Sequence, residues 1–155
     1  MANTEIIKTK IHPFVRNWLK EKYGIAFGRS ELPLRDCEGS HDFDAVSSDG
    51  SIVGEIKTAS GRTSGNKHPS GKRASAFEQL YFLLLTKTKT KLLILTDPEF
   101  FKIMQERTSG KIPPDFELLY CPLPAELAAL VHNVTTEASE EIDRGKRSFR
   151  KGSSG

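Results

Sequence analysis

Residues 41–60 read HDFDAVSSDGSIVGEIKTAS. Two runs studded with apolar residues flank Asp49-Gly50, a dipeptide that favours a two-residue β-turn. Counting outward from that turn sets Ser48 against Ser51, Val46 against Val53, Asp44 against Glu55 and Asp42 against Lys57. Side chains alternate along a strand, so Asp42, Asp44, Glu55 and Lys57 share one face, and Phe43, Ala45, Ile52 and Ile56 share the other. Opposed Cβ atoms lie about 4.5–5.5 Å apart, and facing carboxylates at that distance destabilise a hairpin unless something offsets them. A hard divalent cation does so: Mg²⁺ takes oxygen ligands, keeps several waters, and is held by one or two carboxylates. Lys57 points the same way, and Asp42 reads as its flanking ionic partner. The plainer alternative is a wet sheet face with an Asp42–Lys57 salt bridge.

Outward from the hairpin, the chain predicts further elements. Ile11–Tyr23 reads as a helix, with Pro13 in its first turn and Phe14, Val15, Trp18 and Leu19 on one stripe. Gly24 suits its C-terminal stop. Residues 25–34 are a weaker strand candidate. After the hairpin come a Gly/Ser/Lys loop over 58–73 and an apolar helix over Ala74–Thr86. A polar break, TKTKTK at 86–91, precedes a short buried strand, Leu92–Thr96. Asp97 can cap a helix from Pro98 to about Arg107. A strand over Phe116–Cys121 and a helix over Pro124–Asn133 complete the order. The expectation is one mixed α/β domain over residues 1–143, with a basic tail over 144–155.

Composition limits the function classes. The chain has 155 residues and a formal net charge of +3, so charge alone does not point to a polyanion. Its distribution says more, because 62–73 and 144–151 are basic and free of acids. No apolar run approaches the eighteen or so residues that span a bilayer, and MANTEIIKTK has no signal-peptide core. Cys37 and Cys121 stand alone, without the spacing of a zinc site. An intracellular, cytoplasmic protein with reduced thiols is expected, with no membrane partner. A Walker A reading of the loop fails, since Asn66 stands where glycine is needed and Arg73 where Ser or Thr holds Mg²⁺. His12, His41, His68 and His132 show no metal-ligand spacing, and His41 reads most simply as an exposed or capping residue.

With "HDFDAV" and "GEIKT" in place, the chain resembles the PD-(D/E)xK nuclease superfamily, the restriction-endonuclease-like fold. The resemblance covers about residues 11–96. It matches Asp44 to the motif aspartate and Glu55 and Lys57 to Glu-x-Lys, while Phe43 replaces the proline. It implies a core of helix, three-stranded meander, helix and strand, extended here by a C-terminal strand and helices. It further implies Mg²⁺-dependent hydrolysis of DNA phosphodiester bonds, with Mn²⁺ as substitute. Asp44, Glu55 and the Ile56 carbonyl would hold the metal, and Lys57 would orient the attacking water or stabilise developing charge. Glu21 on the first helix, Asp42 beside the motif aspartate and Gln79 on the later helix are auxiliary candidates. Lys67, Lys72 and Arg73 would contact backbone phosphates, with Arg62 and His68 weaker candidates. Cutting both strands implies a homodimer, whose interface the residues beyond Thr96 could supply. The rival readings are a non-catalytic nucleic-acid-binding module on the same fold and a scaffold with a salt-bridged hairpin.

Overall fold

A computed structural model describes residues 5–60 and 70–134; the loop residues Arg62, Lys67 and His68 and the tail 144–155 lie outside that range. A π-helical turn, Ile7–Ile11, leads without a break into α1, His12–Tyr23. Gly24 ends α1 at φ 71°, the left-handed conformation that glycine adopts without strain, and its N–H returns to the Lys20 carbonyl. Strands β1 (Phe27–Pro33), β2 (Ser40–Ser47) and β3 (Ile52–Lys57) follow, then α2 (Ser70–Leu84), β4 (Thr90–Leu95), α3 (Pro98–Thr108) and β5 (Phe116–Tyr120). A last helix, α4, is described over residues 125–134.

The five strands form one sheet in chain order. The first three make an antiparallel meander, and β4 and β5 continue it in parallel. The β4 run Leu92–Leu95 is fully buried, because helices cover both faces of the parallel half. On one face Val15 and Leu19 of α1 pack with Ala45, Ile52, Ile56, Leu92 and Ile94, and Leu127 and Val131 of α4 join them. On the other, Ala76, Leu80 and Leu83 of α2 and Phe100 and Met104 of α3 pack with Phe43, Val46, Val53, Leu93 and Leu95. The result is a three-layer α/β/α domain. Among the described residues no helix is long and apolar enough to cross a membrane.

Four expectations change. The helix α2 starts at Ser70 rather than Ala74, which moves Lys72 and Arg73 from a loop onto its first turn; Gly71, a poor helix former, hides that turn in the sequence. The strand β4 takes Thr90 and Lys91 from the supposed polar break. Lys91 can be 4% exposed because its ammonium meets the Asp115 carboxylate at 2.6 Å.

The third change is the hairpin turn. Ala45 pairs with Gly54 and Val46 with Val53, the register expected from the sequence. Yet the connection is a four-residue loop, Ser48–Ser51, rather than a two-residue turn. Gly50 has φ 74° but Asp49 does not share that sign, so the primed turn cannot form. Instead the Gly50 N–H closes onto the Ser47 carbonyl, and the Asp49 carboxylate accepts from Ser47 Oγ, Ser51 N and Ser51 Oγ. Both connections are centred between Asp49 and Gly50, so the register survives the change.

The fourth change positions the site. In the β1–β2 ladder Gly28 pairs with Val46 but Ser30 pairs with Phe43, so Asp44 and Ala45 together oppose Arg29. That is a β-bulge, one extra residue that breaks the alternation of side chains. Phe43 therefore packs with Val46 under α2, while Ala45 packs under α1. The expected grouping of Phe43 with Ala45 is not observed.

Candidate functional site

The bulge separates the four charges that the hairpin arithmetic grouped together. Asp42 leaves Lys57 and pairs with Arg29 of β1, whose guanidinium holds its carboxyl below the usual range. The expected Asp42–Lys57 contact does not form. Lys57 turns to α2, where Nζ donates to Ser75 Oγ at 2.7 Å. Burial, and then the charge of Lys72, hold its ammonium below its ordinary pKa.

Asp44 and Glu55 do meet, but from opposite faces. The β2–β3 ladder has its last pair at Ala45 and Gly54. Beyond it the strands part, and the Asp44 carboxylate fills the gap: Oδ2 accepts the Ile56 N–H at 2.9 Å, a bond that a continued ladder would give to backbone. Asp44 is also engaged from α1, with the Arg16 Nε donating to its carbonyl at 2.8 Å and His12 Nδ1 lying 3.9 Å from Oδ1. Burial is the largest influence on His12 and lowers its pKa; Asp44 opposes that shift, while Arg16, Lys8 and Arg29 reinforce it.

Glu55 arrives from the α2 side. It is 3% exposed, with Oε1 at 3.0 Å from His41 Nε2 and Oε2 accepting from Gln79 Nε2 at 3.2 Å. His41 is held in place by stacking on Phe82, ring centroids 4.2 Å apart. Burial, followed by the charge and hydrogen bond of Asp44, pushes the Glu55 carboxyl up to about 9. At neutral pH the Glu55 carboxyl is therefore protonated where it meets Asp44.

This has a measurable consequence. The Glu55 carboxyl is easier to protonate when folded, at about 9, than at its ordinary value of 4.5. Its stabilising contribution is therefore complete below the lower value and is lost as pH rises through the upper one. In EDTA, urea midpoints should fall from pH 5 to pH 9, with a limiting slope of about 1.4 kcal/mol per pH unit for one proton. Glu55→Gln should flatten that fall. Equal slopes in both proteins would contradict the raised Glu55 pKa.

Gln79, one of the auxiliary candidates, thus lies at the site. The other two do not: Asp42 is taken up by Arg29, and Glu21 is exposed near the end of α1, about 140° around the axis from Arg16 at 100° per residue. The residues of α1 that face Asp44 are His12 and Arg16. The sequence singles out neither His12 nor Arg16 and reads His41 as an exposed or capping residue, whereas it is half-buried between Glu55 and Phe82. Their signals were faint: His41 stands two before Phe43 on a strand, and His12 and Arg16 are four apart on a helix. Lys72 lies at the edge of the cluster, with Nζ reaching the Ser60 carbonyl at 3.4 Å. Among the described residues, the buried Arg73 Nε and Gln79 Oε1 have no hydrogen-bond partner.

Among the described residues, no three His, Cys, Asp or Glu side chains converge as a metal cage. A pair of carboxyls with water completing the shell is nonetheless the pattern for Mg²⁺. The residues fit such an ion on two counts. The pair carries like charges that only a proton or a cation can offset, and beside it Gln79 Oε1 is a buried acceptor without a donor. Compared with family models, curated proteins and solved structures, the chain matches none.

Proposed function

We propose that the protein is a Mg²⁺-dependent endonuclease that hydrolyses DNA phosphodiester bonds, with Mn²⁺ as a substitute metal. The observation that carries this reading is the meeting of Asp44 and Glu55 at the end of the β2–β3 ladder, with Lys57 two residues on from Glu55. Asp44, Glu55 and the Ile56 carbonyl would hold the cation, which when bound supplies Lewis-acid polarisation of the scissile phosphate.

The remaining roles belong to the chain. Gln79 and His41 fix the Glu55 carboxyl from two sides, and the Ile56 amide fixes Asp44. Lys57 is held by Ser75, and its weakened hold on the proton suits it to orient the attacking water or steady charge on the phosphate. Lys72 and Arg73, at the start of α2, would meet flanking phosphates. Lys67 would add to them. Two copies would cut both strands of a duplex.

A second reading has its own support. The raised Glu55 pKa, and the lack among the described residues of a third carboxylate or imidazole ligand, suit a proton-bridged structural pair in a non-catalytic nucleic-acid-binding module. Metal removal separates the two. Supercoiled plasmid, branched DNA and single-stranded RNA are incubated with the protein in Mg²⁺ or in EDTA. Nicking or cleavage of DNA in Mg²⁺ that EDTA stops is the expected result. Shifted but uncut DNA in both Mg²⁺ and Mn²⁺ would establish the binding module, and neither binding nor cutting would exclude both.

A further inference from the structure

On the α1 side of the sheet, opposite Lys57 and α2, lies a cavity of about 240 Å³ lined by Lys8, His12, Arg16, Arg29, Asp42 and Asp44. Three permanent cations face two carboxylates there. Arg29 and Asp42 are spent on each other. Asp44 is engaged by the Ile56 amide and by contact with Glu55. That leaves Lys8 and Arg16 as the cations without a carboxylate. Lys8 is exposed, and among the described residues nothing pairs with its ammonium. Arg16 uses one N–H, on the Asp44 carbonyl at 2.8 Å, which anchors the side chain and leaves the rest of a five-donor planar fork uncommitted. An anchored guanidinium with free donors is pre-organised for an oxyanion with more than one oxygen. The cavity is smaller than the roughly 300 Å³ at which drug-sized sites begin, and suits a phosphate with part of its sugar.

We propose that this cavity holds a nucleic-acid phosphate adjacent to the one acted on at Asp44 and Glu55. The inference rests on the nuclease reading and adds a second contact to it, since Asp44 borders both places. A strand would then cross the sheet where β2 and β3 part, with one phosphate at the carboxyl pair and the next between Lys8 and Arg16. The phosphate belongs either to the interior of a strand or to its 5′ end.

The test uses the full chain in EDTA, with short single-stranded DNA bearing a 5′-phosphate or a 5′-hydroxyl, over a range of salt. Variants are Lys8→Ala, Arg16→Lys, and Lys102→Ala as a control on exposed charge in α3, the layer across the sheet. Lys8→Ala should weaken binding about three- to tenfold at low salt and lower the log–log salt slope by about 0.7. Arg16→Lys, which keeps the charge and loses the fork, should weaken binding with little change in slope. Lys102→Ala should do neither. Equal losses on both oligonucleotides assign an interior phosphate; losses confined to the phosphorylated one assign a 5′ end. Binding by the wild type that neither Lys8→Ala nor Arg16→Lys alters, or a slope change as large in Lys102→Ala, would overturn the proposal and leave the nuclease reading intact. If the wild type binds neither oligonucleotide and cuts no DNA in Mg²⁺, the nuclease reading fails as well.

Discussion

Lys57→Ala should lower DNA cleavage in Mg²⁺ by about a hundredfold or more, the usual scale for removing one pre-placed charge or proton-transfer group. Protein stability and DNA affinity should change little by comparison. The side chain lies at the end of β3, its hydrogen bond goes to Ser75 Oγ, and Ser75 is only partly buried, so water can replace the ammonium. Removing a half-buried charge also ends a desolvation cost. Single-turnover cleavage on pre-bound DNA, with a denaturation curve for each protein, checks this. A variant that cuts at the wild-type rate would reduce Lys57 to a tether for α2. A variant that unfolds would leave the loss to be reassessed with Lys57→Met, which keeps the apolar stem without the charge.

Gly54→Val should destabilise the protein by about 2–3 kcal/mol, at the upper end of what overpacking a core produces. A Cβ at Gly54 would stand 2.8 Å from the Ile94 Cδ1 and 3.5 Å from the Leu92 Cβ. Ile94 is fully buried and wedged against α1, so its methyl group has little room to retreat. Gly54→Ala asks only that methyl group to turn and should cost less than half as much; valine brings two further methyl groups into the same layer. Urea or guanidinium unfolding gives the comparison. Matching midpoints for glycine and valine would mean that β3 can lift off β4 without penalty. Because Gly54 precedes Glu55, the valine variant should also cut poorly.

Much of the fold was legible because its signals are local. The LLIL run of β4, the capping Asp97 with its bond to the Phe100 amide, and the hairpin register each need only a few neighbouring residues. The site was legible in its members and not in its arrangement. Asp44, Glu55 and Gln79 meet, but Lys57 turns to Ser75, and the face assigned to Asp42 depended on unbroken alternation. That alternation fails where β2 meets β1, and β1 is the strand with the weakest apolar pattern, so nothing local announces the extra residue. His41 is misread as exposed or capping, and His12 is passed over, for a related reason. Their significance comes from Phe82 and Asp44, partners 41 and 32 positions away along the chain.

The bulge at Asp44 and Ala45 also has an evolutionary meaning. Motif spacing counts residues along the chain, whereas a cation or a phosphate senses only where oxygens lie in space. One inserted residue changes the first without setting the second. A relative lacking the extra residue would keep the same letters, Asp, Glu and Lys, and plain alternation between Phe43 and Val46 would still leave its aspartate on the α1 side. The spacing from the aspartate to Glu55 could therefore differ by one residue with no change in the side of the sheet that the aspartate faces.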